Sequence, residues 1–232
     1  MAEYKDRAYD ETPPGFMTRT RDGHLTETHL CNMALSYLGK GSIQELTNMN
    51  ENAVTCSLFY DITRQEVLRT FNWGFAHRIE PLSVLVTERV DENGNKTDIK
   101  DKLPSNFSNF YMYPYKCIKL NAVTIHGDDS QRMEFETLSV GGIKAIATNI
   151  GNAYADYVCD ETNPNEYDSL FITAFTHLLA SKIAVRLTGM PQLEQAQMQI
   201  YMQTVQQAHL YDSRETRTNT IWKGSYLNAR RG

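Results

Sequence analysis

The chain is 232 residues long, of which 41% are hydrophobic and 22% are charged, and its formal net charge is −5. A chain of this length and composition can bury a core of its own, as one large domain or as two small ones. It lacks the excess of lysine and arginine with which proteins neutralise DNA phosphates. General nucleic-acid binding is therefore disfavoured.

The cysteines and the N-terminus indicate the compartment. Cys31, Cys56, Cys117 and Cys159 are widely spaced, form no C-x-x-C pair and have no histidine at zinc-finger spacing. We predict that they are free, mostly buried thiols of a protein made in a reducing compartment, with no metal. The N-terminus lacks an apolar signal-peptide core, and no apolar run reaches the ~20 residues that cross a bilayer. The chain is thus predicted to be neither secreted nor embedded in a membrane.

The first part of the chain predicts an arm and two helices. Residues 1–23 contain Pro13-Pro14-Gly15 and little apolar periodicity, which is typical of a terminal arm. A helical pattern follows and ends before Gly39, and a second runs from about Asn50 to about Thr70. The second helix carries a narrow seam for another helix, at steps of three and four: Ala53, Cys56, Tyr60, Thr63 and Val67.

After the second helix the sequence changes to the alternation of β strands. Asn93-Gly94 favours the positive φ values of a tight hairpin, and Gly141-Gly142 lies between two alternating segments. Aromatic and β-branched residues are frequent in this region. Residues 79–159 are therefore predicted to form a mostly antiparallel β module of five to seven strands.

Two further helices are predicted after the strands. Asn163 and Pro164 provide a cap and a first-turn proline, so a third helix should run from Pro164 to about Thr188, where Gly189 ends it. Pro191 opens a fourth helix. The third helix has two apolar rows, which indicates a central helix covered on two sides: Leu170, Ala174, Leu178 and Val185, and Phe171, Phe175, Leu179 and Ile183. The predicted seam of the fourth is Leu193, Ile200, Tyr201, Thr204, Ala208 and Tyr211.

The order of these elements predicts an α+β fold. Two helices precede the β segment and two follow it, so the simplest arrangement is a four-helix bundle with the β module inserted between its second and third helices. The predicted parts are an N-terminal arm, a helical bundle domain in two pieces, an inserted β domain and a C-terminal docking tail. Their bounds are 1–23, 24–78 with 160–213, 79–159, and 214–232.

Three aromatic residues surround a glycine where the helical pattern of the second helix stops. Phe71, Trp73 and Phe75 are expected to pack at the junction between the bundle and the β module. Gly74 would allow the chain to turn sharply, and the Trp73 N–H would bond to a carbonyl.

No motif predicts a catalytic, metal or cofactor site. The six histidines form no H-E-x-x-H or other metal pattern. Gly141-Gly142 lacks the spacing of a phosphate loop and is predicted to be a hairpin. The segment His126-Gly127-Asp128-Asp129 is predicted to be a turn rather than a ligand cluster. Asp156 and Asp160 have no nearby histidine in the sequence, and a solvated strand end is a better prediction for them than a catalytic pair.

The methionines and glutamines of residues 190–207 allow two interpretations. They are compatible with an adaptable binding face, whereas ordinary helix packing with glutamines outside is the favoured interpretation.

The segment from Arg214 to Gly232 contains five basic residues and one acidic residue, with no helical or strand period. Disordered tails are usually poor in large apolar side chains because they cannot bury them. This segment nevertheless carries Ile221, Trp222, Tyr226 and Leu227. Trp222 and Tyr226 are therefore predicted to be anchors for a groove on another subunit, with a disordered tail as the alternative.

The ordered set of these segments resembles tail tubular protein A of short-tailed bacteriophages, the head-to-tail adaptor that forms a ring beneath the portal. The resemblance covers about residues 25–232, and its central element is Leu-Arg-x-x-x-Trp-x-Phe-Ala at residues 68–76. It lies in the segments "HLCNMALSYLGKGSIQEL", "CSLFYDITRQEVLRTFNWGFAHR", "FYMYPYKCIKL", "DYVCDETNPNEYDSLFITAFTHLLASKIAVRLTG" and "AHLYDSRE", with an Ala-Arg near the terminus.

The resemblance implies a helical bundle that bears a β domain and assembles as a dodecameric ring. Its implied partners are other copies of the chain, the portal protein above, and the nozzle, a tail tubular protein B-like protein, below. Genomic DNA would pass non-specifically through the bore. Trp222, Tyr226, Leu227 and Arg230 would dock on the portal or on a neighbouring subunit. The implied location is the head-tail interface of the virion, after assembly in the host cytoplasm, with no enzymatic activity, cofactor or membrane.

Two other functions are weighed against the adaptor. A tail-associated hydrolase acting on cell-wall glycans would use Asp156, Asp160 or the segment 126–129. A DNA-binding regulator would use the helices near each end of the chain, but the acidic balance and the lack of a basic recognition helix disfavour it. The acidic balance suits a bore through which DNA must slide without binding.

Overall fold

The computed structural model describes residues 24–90, 96–98, 102–125 and 128–215. Its four α helices are α1 (Glu27–Tyr37), α2 (Glu51–Thr70), α3 (Ser169–Thr188) and α4 (Pro191–Glu215). Nine strands lie between α2 and α3 in these residues: β1 (His77–Pro81), β2 (Glu88–Val90), β3 (Lys96–Asp98), β4 (Asn109–Met112), β5 (Cys117–Ile125), β6 (Asp128–Met133), β7 (Phe135–Val140), β8 (Ile143–Thr148) and β9 (Ala153–Cys159).

The α+β class is confirmed, but the number of strands is larger than the predicted five to seven. The described strand pairs are all antiparallel. Several strands are short, and β6 and β7 follow one another with a single residue between them. The alternation of apolar and polar residues does not reveal such a break, because the pattern continues across it.

The third helix begins later than predicted. Asn163 does cap a helical turn, but that turn is a separate 3-10 helix, Pro164–Glu166. The α3 helix starts after Asp168, whose carboxylate accepts a hydrogen bond from the Phe171 N–H at 2.7 Å. It ends as predicted at Gly189, whose φ of 71° is a conformation that glycine adopts without steric cost.

Helix α3 is the centre of the helical part of the molecule. Helices α1, α2 and α4 all pack on it, whereas α2 and α4 make little contact with each other along their lengths. Both predicted apolar rows face the core except at Val185, which is 43% exposed, and Leu170, which is partly buried. By length and composition alone α3 would also cross a bilayer, which the sequence analysis did not anticipate. The apolar character of α3 is that of a core helix, because helices α1, α2 and α4 pack around it.

The predicted seam of α4 is only partly correct. Tyr201, Thr204 and Ala208 are buried, but Ile200 is 37% exposed and Tyr211 is 50% exposed. The buried positions follow steps of three and four, and they continue at Gln197. Ile200 stands beside this row rather than in it, because a helix turns by about 100° per residue. Tyr211 continues the row at a step of three from Ala208 and is nevertheless half exposed.

The strands form two larger sheets and a two-stranded ribbon. The strand orders are β1-β9-β5-β6, β4-β8-β7 and β2-β3. Tyr111, Val123 and Ile146 belong to one apolar cluster shared by the two larger sheets. The neighbouring residue Ala145 belongs to a different cluster, with Leu85. The alternation of side chains along β8 therefore gives the three-stranded sheet two apolar faces.

The predicted hairpin at Gly141-Gly142 is confirmed. These residues join β7 to β8 with φ values of 57° and 78°. Positive φ at both central positions is what a two-residue hairpin of type I′ requires. The second predicted turn, Asn93-Gly94, lies outside the described residues, although β2 and β3 on either side of it pair antiparallel.

The strand segment leaves and rejoins the helices at neighbouring points. Strand β1 follows α2, strand β9 precedes α3, and the two strands pair with His77 opposite Val158. Val158 is fully buried in the helical core, and Ile118 packs at its edge. The four-stranded sheet therefore lies against the helices through its β5 and β9 strands.

The predicted seam of α2 is confirmed, because Ala53, Cys56, Tyr60, Thr63 and Val67 are all buried. This seam includes polar atoms that are not hydrogen bonded. The hydroxyls of Tyr60 and Thr63 have no hydrogen-bond partner among the described residues. A buried polar group without a partner loses its contact with water and gains nothing in return.

The substitution Tyr60→Phe is expected to raise the free energy of unfolding by about 1 kcal/mol, because it removes an unpaired buried hydroxyl. Tyr167→Phe is the matched control. The Tyr167 hydroxyl donates to the Glu161 carbonyl at 3.0 Å, so its removal should lower the free energy of unfolding by about 1 kcal/mol. Urea denaturation at neutral pH measures both changes. If Tyr60→Phe lowered the free energy of unfolding as much as the control does, the Tyr60 hydroxyl would have a hydrogen-bond partner and the prediction would be wrong.

The effect of Tyr60→Phe on the free energy of unfolding should also depend on pH. Burial raises the pKa of Tyr60 above its ordinary value of 10.0. Above about pH 10 the unfolded chain loses this proton while the folded chain keeps it, so stability falls as the pH rises. The advantage of Tyr60→Phe should therefore widen between about pH 9 and about pH 11 in urea denaturation. An advantage that is constant over this range would show that the hydroxyl is not desolvated.

Candidate interaction surfaces

Of the three predicted junction residues, Trp73 and Phe75 pack on the start of α3, and Phe71 packs on Trp73 and on His209 of α4. Trp73 is 1% exposed, and its indole N–H donates to the Val67 carbonyl at 2.9 Å. Its ring meets Phe171 edge to face with 5.2 Å between ring centroids. Phe71 and Phe75 lie on either side of it in sequence, with centroids 5.0 Å and 6.4 Å from that of Trp73. The cluster thus belongs to the helical core at the point where the chain passes into β1.

Arg64 ties α2 to the end of β9. Its side chain is 4% exposed, and Nη1 donates both to Asp160 and, at 2.9 Å, to the Glu161 carbonyl. Nη2 donates to Asp61 at 3.0 Å. Gln65 donates to the other oxygen of Asp160 at 2.9 Å. Burial alone would lower the pKa of Arg64, but Asp160, Asp61 and Tyr167 together outweigh burial, and the pKa is raised.

Asp156 is buried, so the prediction of a solvated strand end is wrong at this residue. It is 4% exposed, and its Oδ1 lies 2.7 Å from His77 Nε2. The same oxygen accepts a hydrogen bond from Asn121 at 3.0 Å. His77 is distant in sequence and reaches Asp156 because β1 pairs with β9. The sequence gives no signal for this histidine, because only the register of β1 with β9 brings it near Asp156.

The same prediction is wrong at Asp160. Its side chain is 20% exposed, and both of its oxygens are hydrogen bonded, to Arg64 and to Gln65. Its role is to connect strand β9 to α2. The predicted turn at 126–129 extends too far, because Asp128 and Asp129 lie in strand β6. Residues 126–127, between the paired strands β5 and β6, lie outside the described residues.

The thiols are free, as predicted. Cys31 and Cys56 are buried, and Cys117 and Cys159 are half-buried. A hydrogen bond with Cys56, together with burial, raises the pKa of Cys31. Within the described part of the chain, no three histidine, cysteine or acidic side chains stand close enough to share a metal ion.

An exposed apolar row runs along α2. Val54, Leu58 and Ile62 are 45%, 56% and 62% exposed. They stand four residues apart and therefore share one face of the helix. We call this row the α2 ridge. Isolated exposed apolar residues are ordinary, but a row of them on one helix face is typical of a surface that binds another protein.

Acidic residues border the α2 ridge along its own helix. Residues 41–63 contain Glu45, Glu51 and Asp61 and neither lysine nor arginine. All three are exposed, and the side chain of Asp61 is 74% exposed even though it accepts a hydrogen bond from Arg64. Glu51 and Asp61 each stand three residues from a residue of the ridge and form its acidic border. At the C-terminal end of the ridge, Arg69 and Lys116 line an open cleft together with Ile62.

The outer face of α4 is almost uncharged. Met202 and Leu210 are 55% and 61% exposed, and glutamines occupy much of the surface around them. Between Pro191 and Ala208 the only charged residue is Glu194. Solvated helix faces usually carry lysine, arginine and glutamate, whereas the centres of protein interfaces are depleted of charge. Most of the glutamines lie outside, as ordinary packing predicts, and Met202 lies outside with them. Gln197 is the exception, because it is buried and its side-chain oxygen lies 2.6 Å from His177 Nδ1.

A third exposed feature is the loop between β4 and β5. Residues 113–116 line an open cleft of about 610 Å³. Tyr115 is 84% exposed, and Lys116 has a φ of 56°, which is uncommon for a residue other than glycine. The Lys144 ammonium lies 3.5 Å from the centre of the Tyr113 ring. Exposed tyrosines are frequent anchors of protein contacts.

The predicted docking residues Trp222, Tyr226, Leu227 and Arg230 lie outside the described residues, and so does the arm of residues 1–23. Helix α4 carries the described chain as far as Glu215. Docking by the C-terminal segment therefore stays a prediction.

Comparison with known proteins adds no identity. No family model matches the chain. A search of curated proteins likewise found no match. The resemblance to tail tubular protein A rests on the sequence segments alone.

Arg64→Met is expected to lower the free energy of unfolding by roughly 3 kcal/mol, because it leaves the partly buried Asp160 without its cation. Arg69→Met is the matched control, since Arg69 is exposed and its one described hydrogen bond is to the Ile118 carbonyl at 2.9 Å. The control should lose less than about 1 kcal/mol. Urea denaturation of both variants provides the measurement. Equal losses would show that Arg64 does not hold α2 to β9.

Proposed function

We propose that this chain is a structural assembly protein that forms the head-to-tail adaptor ring of a short-tailed bacteriophage. Copies of the chain would build a ring, a dodecamer by the resemblance, between the portal protein and the nozzle. Genomic DNA would pass through its bore. The observation that carries the proposal is the presence of two exposed helix faces, the apolar α2 ridge and the uncharged outer face of α4.

A ring places a specific requirement on the surfaces of its subunit. Each copy must bind its neighbours through two different surfaces, because a head-to-tail contact joins unlike patches. Helices α2 and α4 both pack on α3 and make little contact with each other along their lengths. Their outward faces are therefore separate surfaces, which supports a subunit with two distinct neighbours.

The proposal assigns different tasks to the two parts of the chain. The helices, residues 24–78 and 160–213, would act as a four-helix bundle that forms the ring. The strands, residues 79–159, would act as an inserted module. The separation of the two strand clusters from the helical core supports this division. The exposed Tyr115 would give the module a contact surface of its own.

The charge of the chain is compatible with a channel for DNA. The formal net charge is −5. A wall that bound phosphates would hold the genome in place, so a neutral or acidic bore serves passage better.

A hydrolase of cell-wall glycans is the second candidate. The acid of a glycosidase must contact the scissile bond while a second carboxylate acts on the sugar ring. Asp156 is buried against His77, and Asp160 is bonded to Arg64 and Gln65. These contacts give the hydrolase no support, and they explain both carboxylates as structural.

Assembly of the full chain tests the proposal. Mixed with portal particles of the virus that encodes it, the chain should form rings of one copy number, because two unlike surfaces close a ring. Native mass spectrometry gives the copy number, and electron microscopy gives the position of the ring. Chains that stay monomeric and unbound beside intact portal particles would contradict the adaptor function.

A second measurement separates the two candidate functions. The wild-type chain is expected to release no soluble fragments from purified peptidoglycan, because its nominated carboxylates are held in structural contacts. The variants Asp156→Asn and Asp160→Asn serve as comparisons, and a known muramidase is the positive control. Release by the wild type that disappears in either variant would favour the hydrolase.

A further inference from the structure

The α2 ridge and the C-terminal segment of the chain have complementary chemistry. We propose that residues 217–232 of one copy bind the α2 ridge of the neighbouring copy. In this contact the large apolar side chains of the segment cover Val54, Leu58 and Ile62. The inference rests on the proposed function, since it requires copies that stand side by side, and it specifies the surface that receives the segment.

Charge is the first argument for this occupant. The segment contains Arg217, Lys223, Arg230 and Arg231 and no acidic residue. Glu51 and Asp61 border the ridge along its helix, whereas the basic residues Arg69 and Lys116 line the cleft at its Ile62 end. Opposite charges around an apolar centre favour encounter and set the orientation of binding, while the apolar contact supplies most of the affinity.

Charge also argues against α4 of another copy as the occupant. Residues 191–211 contain no lysine or arginine, so this helix offers no cation to the acidic border. A ridge covered by α4 would leave Glu51 and Asp61 at the edge of a neutral surface. The basic C-terminal segment provides the lysine and arginine side chains that α4 lacks.

The spacing of the anchors is the second argument. Val54 and Ile62 are eight residues apart on a helix, which corresponds to about 12 Å at about 1.5 Å per residue. Trp222 and Tyr226 are four residues apart, which corresponds to about 13 Å in an extended chain. An extended segment therefore places its two aromatic anchors at the two ends of the ridge.

The length of the segment is the third argument. Residues 216–221 separate the end of α4 from Trp222. Extended, this linker spans about 20 Å, which is nearly twice the width of a helix with its side chains. The first anchor can therefore reach past α4 to a helix of an adjacent copy.

Photo-crosslinking in the full chain tests the contact. In the variant Trp222→p-benzoylphenylalanine, assembled with portal particles and illuminated, the reactive ring should attach to the α2 ridge. Trypsin cuts after Lys40 and Arg64 and nowhere between them, so the ridge is recovered as the peptide of residues 41–64. The expected product joins this peptide to the C-terminal segment in a species of at least twice the chain mass. Attachment to the same peptide at monomer mass, or only to other peptides or to the portal, would overturn the inference.

Substitutions on the ridge supply an independent readout. Leu58→Lys removes the central apolar contact and puts a cation against the basic segment, so it should lower the yield of the crosslinked dimer about tenfold, as would about 1.4 kcal/mol of lost binding energy. The matched control is Val84→Lys, at a residue that is 73% exposed and pairs with Tyr111 among the strands. The control should leave the yield unchanged, and circular dichroism verifies that both variants fold. A yield that is equal in Leu58→Lys and the control would overturn the inference.

Failure of the proposed contact and failure of the adaptor function give different results in these experiments. If the wild-type chain forms rings with portal particles while the crosslink lands away from the ridge, the receiving surface is wrong and the adaptor function stands. If the chain forms no ring with portal particles, the adaptor function fails, and the contact between copies fails with it.

Discussion

A helix that is apolar around most of its circumference must be covered on several sides, and α3 imposes that requirement on the whole chain. Its buried face includes Phe171 and Phe175 as well as Leu178 and Leu179, so one neighbouring helix cannot cover it. Helices α1, α2 and α4 do so together. Because α2 and α4 turn their inner faces to the same helix, their outer faces point to solvent, and these faces are the candidate binding surfaces.

Polar contacts then fix the strands relative to this core. Arg64 reaches from α2 to the residues that follow β9, and the pair of His77 and Asp156 joins β1 to β9. A buried ion pair such as Arg64 with Asp160 adds little net stability, because the cost of desolvation offsets much of the attraction. Breaking it leaves an uncompensated charge, however, so it strongly disfavours other arrangements of α2 and β9. The hydrogen bond between His77 and Asp156 likewise favours the observed pairing of β1 with β9. Both contacts fix the positions of these elements more than they add to stability.

The parts of the fold that follow from neighbouring residues were predictable from the sequence. Asn50 caps α2, Gly189 ends α3 and Gly141-Gly142 makes a hairpin, because each of these devices acts within a few residues. Contacts that depend on strand register were not. Nothing near Asp156 in the sequence indicates its histidine partner, and the two carboxylates were therefore misjudged.

The candidate surfaces were predictable in part. The buried seam of α2 was predicted, whereas the second apolar row on the same helix was not. Val54, Leu58 and Ile62 repeat every four residues, so the signal was present. The second row becomes informative only when the structure shows which of the two rows is buried in the core. On α4 most of the glutamines point outward as predicted, with the buried Gln197 as the exception, and the scarcity of charge around them was the more informative feature.

The pairing of β1 with β9 has a consequence for how such a chain can change over time. His77 and Val158 face each other across the ladder, so their α carbons stand only about 5 Å apart. Insertions, deletions or replacements in the three-stranded sheet and the ribbon, whose residues lie outside the helical core, would leave β1, β5 and β9 and the two junctions with the helices where they are. Lineages can thus remodel the outer strands while the rest of the molecule keeps its geometry, and a protein engineer can treat those strands as an exchangeable cassette.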